Sequence, residues 1–172
     1  MKLDADDFEL FGLARRFSQS RGDIDARWKA LQARVHPDRF ASEGTAAQRV
    51  AMQWAVRVNE AYQILGDPLR RAAALCALRG APVDTERDTA MPHDFLAQQL
   101  QWREALDEAR TAPQVRVLAD EVAADRAERL GRLEALLDEH DDPQAAASEV
   151  RALMFIERFA EDIEQRLDAL GQ

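Results

Sequence analysis

Apolar residues recur every three or four positions along most of the chain, and no stretch alternates regularly between apolar and polar residues. The first spacing places apolar side chains on one face of an α-helix, whereas regular alternation is typical of a β-strand. The sequence therefore predicts an all-α protein. Seven helices are expected, over residues 6–13, 24–35, 46–65, 69–79, 95–110, 114–139 and 145–170.

The second and third predicted helices carry the clearest apolar stripes. The stripe of the second consists of Ile24, Trp28, Leu31 and Val35, and that of the third of Val50, Trp54, Val58 and Leu65. These two helices are expected to form a helical hairpin, with shorter helices on either side. Asp23 is expected to cap the second helix, and Thr45 with Gln48 resembles a capping box at the start of the third.

The chain is expected to form two domains. Residues 80–93 contain one glycine, two prolines and little apolar periodicity, which is typical of a linker. Beyond it, two short proline-containing turns separate three helices, and short turns make neighbouring helices antiparallel. The predicted organisation is a helical N-terminal domain, a linker and a C-terminal three-helix bundle, at residues 1–79, 80–93 and 94–172.

Charge divides the chain in the same way. The formal net charge is −9, but residues 1–79 hold 13 basic and 10 acidic residues, whereas residues 80–172 hold 10 basic and 22 acidic residues. Halves of opposite sign favour two units with different partners. The acidity of the second half argues against nucleic acid as a partner. The alternative is that this acidity only keeps a helical bundle soluble.

Composition narrows the chemistry and the compartment. Cys76 is the only cysteine, so the chain can form neither an internal disulfide nor a cysteine-based zinc site. The acidic N-terminus lacks the apolar core of a secretory signal, and no run of about 20 apolar residues could span a membrane. We expect a cytoplasmic protein with no membrane association. Cys76 is expected to pack against apolar neighbours rather than to react.

The tripeptide His36-Pro37-Asp38 is the most distinctive short motif. It lies in the predicted loop of the hairpin, where a proline is tolerated and polar side chains face solvent. Arg27 and Arg34 are seven residues apart and share a flank of the preceding helix, while Lys29 lies elsewhere on its exposed side. A basic helix face beside this motif could steer the protein onto an acidic surface. The alternative is an ordinary solvated helix face.

Three segments resemble the J-domain, in the order and at the spacing of that family: DFELFGL at 7–13, HPDRF at 36–40 and NEAYQILGDPLRRA at 59–72. J-domain proteins are co-chaperones of DnaK-type chaperones. The resemblance implies that His36, Pro37 and Asp38 contact the chaperone and trigger its ATP hydrolysis. It also implies that Lys29 and Arg34 dock on it. A position that is usually basic in the family is Ala30 here, and Arg27 could compensate for it.

The second half resembles the C-terminal domain of the HscB family, J-type co-chaperones of iron–sulfur cluster biogenesis. The segments that carry this likeness are DTA at 88–90, FL at 95–96, QL at 99–100 and WREALDE at 102–108. The resemblance implies that this domain binds the cluster scaffold IscU and that the chaperone is HscA. The implied scaffold-binding residues are Leu96, Ala97, Leu100, Gln101, Glu104, Glu108 and Phe155.

Two features of this implied surface leave its role open. Ala97 replaces a larger apolar residue of the family, and Gln101 replaces an acid. In addition, leucines and aromatic residues at helical spacing are usually buried, so the alternative for Leu96, Leu100 and Phe155 is ordinary bundle core.

Other classes of function lack the residues they need. His93 and His140 lie in separate turns, and no His-Glu-x-x-His pattern or glycine-rich phosphate loop is present. We therefore expect no catalytic residues, no metal site, no cofactor and no enzyme activity, and we expect a monomer that binds no nucleic acid. The main alternative to scaffold delivery is a J-domain adaptor that brings a different client to a DnaK-type chaperone.

Overall fold

The computed structural model describes residues 2, 4–84, 86–87 and 89–171. In these ranges every element of regular secondary structure is a helix and no strand occurs, which confirms the all-α prediction. The α-helices are α1 (Asp7–Phe11), α2 (Arg21–Val35), α3 (Thr45–Gly66), α4 (Pro68–Leu78), α5 (Phe95–Glu108), α6 (Ala112–Glu134) and α7 (Pro143–Leu170). A 3₁₀-helix covers Pro37–Glu43, and a π-helical turn at Ala135–Glu139 follows α6.

The chain divides into two compact units, Met1–Leu75 and Cys76–Gln172. The division falls within α4. The described residues of the 80–93 segment form no helix. Asp88, which opens the DTA segment, lies outside the described residues. None of the described helices combines the length and apolar composition that a membrane span requires.

The first unit is built on a hairpin of α2 and α3, against which α1 packs. As predicted, Ile24, Leu31 and Val35 of α2 are buried, together with Val58 and Leu65 of α3. The prediction is wrong for Val50, which is 52% exposed. It lies one turn into α3, where the hairpin opens towards the 3₁₀-helix and leaves a groove rather than a packed core.

Two predicted helix caps are wrong. The second helix begins at Arg21, and the Ser20 hydroxyl, not Asp23, caps it by accepting a hydrogen bond from the Asp23 N–H at 3.3 Å. The third helix follows Gly44 and has no side-chain cap, because its N-cap residue is a glycine, which has no side chain. A capping box does occur before α6, where Thr111 and Gln114 each accept from the other's backbone N–H.

The second unit is the expected three-helix bundle. Its core contains Phe95, Trp102 and Leu106 of α5, and α6 packs along α7. The buried Arg129 of α6 lies in this core, where its Nη1 donates to the Glu149 carboxylate at 3.0 Å. A buried charge destabilises the folded state unless an opposite charge accompanies it. The guanidinium also lies over the Phe95 ring at 4.4 Å, so charge as well as apolar packing holds the start of α5.

Candidate functional site

The His-Pro-Asp motif lies between α2 and α3, in the predicted loop of the hairpin, where it forms the start of a 3₁₀-helix. The helix α2 ends at Val35, and Pro37 occupies the first position of the 3₁₀-helix, where the missing N–H costs no hydrogen bond. The Arg39 N–H donates to the His36 carbonyl at 3.0 Å. The Arg39 side chain reaches back to the Ala33 carbonyl at 2.9 Å. The backbone hydrogen bond therefore closes the turn, and the Arg39 side chain ties it to the last turn of α2.

The polar side chains of the motif stay in solvent. The Asp38 N–H donates to His36 Nδ1 at 3.2 Å, and the Asp38 carboxylate lies 3.6 Å from the same nitrogen. The side chains of His36 and Asp38 are nevertheless 58% and 92% exposed. The arrangement presents an imidazole and a carboxylate on a short, ordered turn, which suits recognition by another protein.

The basic residues implied for docking differ in their surroundings. Lys29 and Arg34 are exposed, and neither forms an ion pair within the described part of the chain. By contrast, Arg27 donates to the carbonyls of Phe11 and Gly12, both at 2.9 Å. These carbonyls end α1, so the Arg27 guanidinium fastens α1 to α2. Docking by all three residues remains a prediction.

This contrast gives an expected result for Arg27. We expect Arg27→Ala to lower the free energy of unfolding by about 1 kcal/mol, because two charge-assisted hydrogen bonds at a partly exposed site are lost. We expect Arg34→Ala to leave stability nearly unchanged, since that side chain has no such partner. Urea denaturation of both variants measures the difference. Equal stabilities for the two would contradict the role assigned to Arg27.

The hairpin is also held together by polar contacts between α2 and α3. The apolar pattern of the sequence does not predict them. Asn59 of α3 accepts from Trp28 Nε1–H at 2.9 Å and from the Gln32 amide at 2.6 Å. The Tyr62 hydroxyl donates to the Asp25 carboxylate at 2.7 Å, and the Tyr62 ring stacks on Trp28 at 4.8 Å. The sequence contains a sign of these contacts, because Asp25 and Gln32 are seven residues apart and lie together beside the apolar stripe of α2, where their side chains can reach α3.

In the second unit, Leu96 and Leu100 lie on the surface. They are 67% and 60% exposed, so the alternative that they belong to the bundle core is wrong. The other α5 residues implied by the resemblance, Ala97, Gln101, Glu104 and Glu108, are exposed as well. We call these six residues the α5 patch. It is apolar towards the start of α5 and acidic towards its end.

Phe155 of α7 is half-buried. Its ring meets the buried Phe95 ring edge-on at 5.7 Å and stacks on Phe159 at 5.8 Å. The Arg103 guanidinium lies 6.0 Å from the Phe155 ring and pairs with Asp162 at 2.9 Å. Phe155 therefore has a packing role whether or not a partner contacts it, and Arg103 covers part of its ring.

The structure offers little else that resembles reactive chemistry. Within the described ranges, no group of His, Cys, Asp or Glu side chains is placed to hold a metal ion. Cys76 is buried, and this burial raises the pKa of its thiol to about 11, which keeps the sulfur protonated near neutral pH. This environment agrees with the expectation that Cys76 packs rather than reacts.

Known proteins resemble the chain over nearly its whole length. Residues 91–164 match a family model described as the HSCB C-terminal oligomerisation domain. Over 166 residues, 95% of this chain and 94% of the relative, the sequence is 48% identical to the co-chaperone protein HscB homolog of Burkholderia thailandensis. The chain belongs to the HscB family of co-chaperones. The HscB homolog of Ralstonia nicotianae is 47% identical over the same share of both chains.

Solved HscB structures share the fold. Chaperone HscB from Vibrio cholerae is 32% identical, with a TM-score of 0.81 over 96% of this chain and 99% of the other. Human HscB is 25% identical, with a TM-score of 0.87 over 96% of this chain and 84% of the other. The prediction of a J-domain followed by an HscB-type helical domain is thereby confirmed.

Proposed function

We propose that this HscB-family co-chaperone stimulates the ATPase of the DnaK-type chaperone HscA and delivers the scaffold IscU to it, for iron–sulfur cluster maturation and transfer. The observation that carries the proposal is the exposure of Leu96 and Leu100 on α5. The bundle already has a core, and these two leucines leave apolar surface area in water. Burial of that area against a partner would stabilise the complex.

The chaperone side of the proposal draws support from the His36-Pro37-Asp38 turn. Its imidazole and carboxylate are exposed on an ordered backbone. Binding to the chaperone would therefore cost little backbone conformational entropy. Arg34 lies at the end of α2 directly before this turn, and Lys29 lies on the same helix. Their free charges suit an acidic surface on the chaperone, which would speed its encounter with the co-chaperone.

The two units would divide the work. The second unit would capture the cluster-loaded scaffold, and the first would present it to the chaperone and trigger ATP hydrolysis, which locks the chaperone onto the scaffold. We place this activity in the cytoplasm and assign it to a monomer, which sedimentation at micromolar concentration would test.

The second candidate is delivery of a different client to a DnaK-type chaperone. The observation that favours it lies within the α5 patch. Ala97 and Gln101 are both exposed, and neither provides the larger apolar or acidic side chain of the HscB pattern. A surface altered at two contact positions could fit another protein.

A steady-state ATPase assay of HscA separates the candidates. We expect this protein alone to raise the ATPase rate of HscA. This protein together with IscU should raise it by more than the sum of the increases that each of them causes alone. The reason is that a scaffold bound to the co-chaperone reaches the chaperone at a high effective concentration. Absence of any stimulation would refute the chaperone role. Stimulation without synergy would favour the second candidate.

A further inference from the structure

A groove of about 450 Å³ lies between the end of α5 and the start of α6. Its lining residues include the apolar Ala105, Val117 and Leu118 and two carboxylates, Glu108 and Glu121. Neither the sequence pattern nor the resemblance to the HscB family assigns a role to Val117 or Glu121. Glu108 belongs both to this groove and to the α5 patch, so the groove continues that patch.

Val117 is an unusual feature of this groove. It is 70% exposed, more than Leu96 or Leu100, whereas its neighbour Leu118 is buried in the bundle. A β-branched residue on a solvent-facing helix position contributes neither to the core nor to helix propensity. Its apolar surface is therefore available to a side chain from outside.

The two carboxylates of the groove are not neutralised by the protein itself. Within the described residues, Glu108 and Glu121 form no ion pair. Of the arginines near the groove, Arg110 donates to the Asp107 carbonyl and Arg166 to the Ala109 carbonyl, while Arg116 on α6 forms no hydrogen bond or ion pair within the described residues. The groove thus combines apolar lining residues with two unpaired negative charges.

This combination has a matching chemistry. The side chains of Lys and Arg carry a cationic head on an aliphatic stem, which packs along apolar surface while the head reaches towards charge or water. A stem lying on Val117 and Ala105 would bring its head towards Glu108 and Glu121. An uncharged apolar side chain would instead leave two carboxylates partly desolvated without compensation.

We infer that this groove binds a Lys or Arg side chain of the same scaffold protein that covers Leu96 and Leu100. The inference rests on the proposed function and extends it. Leu96, Leu100, Glu104 and Glu108 follow at four-residue spacing along α5, in a row that turns around the helix by about 40° per step, so a protein that follows this row reaches the groove at its end. The scaffold contact then includes α6 as well as α5.

The test measures the affinity of IscU for the full chain by calorimetry. We expect Glu121→Lys to weaken binding by about tenfold, and the same change one residue away, Asp120→Lys, to weaken it by less than about threefold. Asp120 is exposed on α6 but does not line the groove. Val117→Ser should weaken IscU binding at every salt concentration. Glu121→Lys should weaken it and should also make the IscU affinity less dependent on salt concentration.

Three results would overturn the inference. Glu121→Lys and Asp120→Lys could weaken binding equally, which would indicate a general charge effect. Glu121→Lys could change self-association in sedimentation while leaving IscU affinity intact, which would assign the groove to a contact between copies. If Leu96→Ala with Leu100→Ala abolishes binding while Glu121→Lys and Val117→Ser do not weaken it, the inference fails and the proposed function stands. If the leucine variant binds normally, the proposed function itself fails.

Discussion

A His36→Gln variant is expected to lose stimulation of the chaperone ATPase while it binds the scaffold with unchanged affinity. The imidazole sits on an exposed turn, and its hydrogen bond within the described residues is to Asp38 of the same turn, so its replacement is expected to leave the fold intact. Glutamine offers an amide on a flexible chain in place of a rigid ring, and ordering that chain on the chaperone opposes binding. We expect stimulation at HscA concentrations below saturation to fall by at least about tenfold.

The chain provides a matched control for this experiment. His140 is exposed in the turn before α7, far in sequence from the His-Pro-Asp motif, and His140→Gln makes the same chemical change there. We expect His140→Gln to stimulate the ATPase as the unaltered protein does. Full stimulation by the His36 variant would refute the assignment of the motif to the chaperone. Loss of IscU binding by that variant would show that the two activities are not separable.

Replacing Leu96 and Leu100 together by Ala is expected to have the opposite effect, a large loss of scaffold affinity with basal ATPase stimulation retained. Full burial of one leucine contributes about 1.5–3 kcal/mol, so truncating two that are buried in the complex should weaken binding by about 100-fold. Because both side chains are already in solvent in the free protein, the variant should be as stable as the parent. Calorimetric titration with IscU measures the loss.

Two exposed apolar residues of α3 provide a matched control for the Leu96 and Leu100 variant. Met52 and Val56 lie in solvent on α3, four residues apart like Leu96 and Leu100. We expect Met52→Ala with Val56→Ala to leave IscU affinity unchanged. Phe155 is better left intact in such a test, since its ring packs against Phe95 and Phe159 and its loss would disturb the bundle. Unaltered IscU affinity in the leucine variant would contradict the scaffold-binding role of the α5 patch.

The helices were predictable because apolar spacing survives in every one of them, and several of their ends lie within two residues of the predicted positions, but the residues that cap them were not predictable. A polar residue near a helix start can cap it, or simply lie in its first turn. Ser20 and Asp23 are both capable caps, and which of them acts depends on where the backbone enters the helix. The π-helical turn after α6 had no signal at all, since no residue type requires that geometry.

Periodicity also fails to distinguish a core stripe from a binding stripe. The helix α5 carries two apolar rows, one with Phe95, Trp102 and Leu106, and the other with Leu96 and Leu100. Both rows fit a helix, and only the packing of α6 and α7 decides which is buried. The resemblance to the HscB family favoured contact with a partner for the second row, and the structure places that row in solvent.

The hydrogen bond inside the His-Pro-Asp turn also fixes a tautomer. Because the Asp38 N–H donates to His36 Nδ1, the neutral ring must carry its proton on Nε2. The ring then offers a single donor, while the Asp38 carboxylate offers only acceptors. The two side chains therefore differ in hydrogen-bonding character. A partner must present an acceptor to His36 and a donor to Asp38. A loop with the two side chains exchanged would have the same composition but present the reverse pattern.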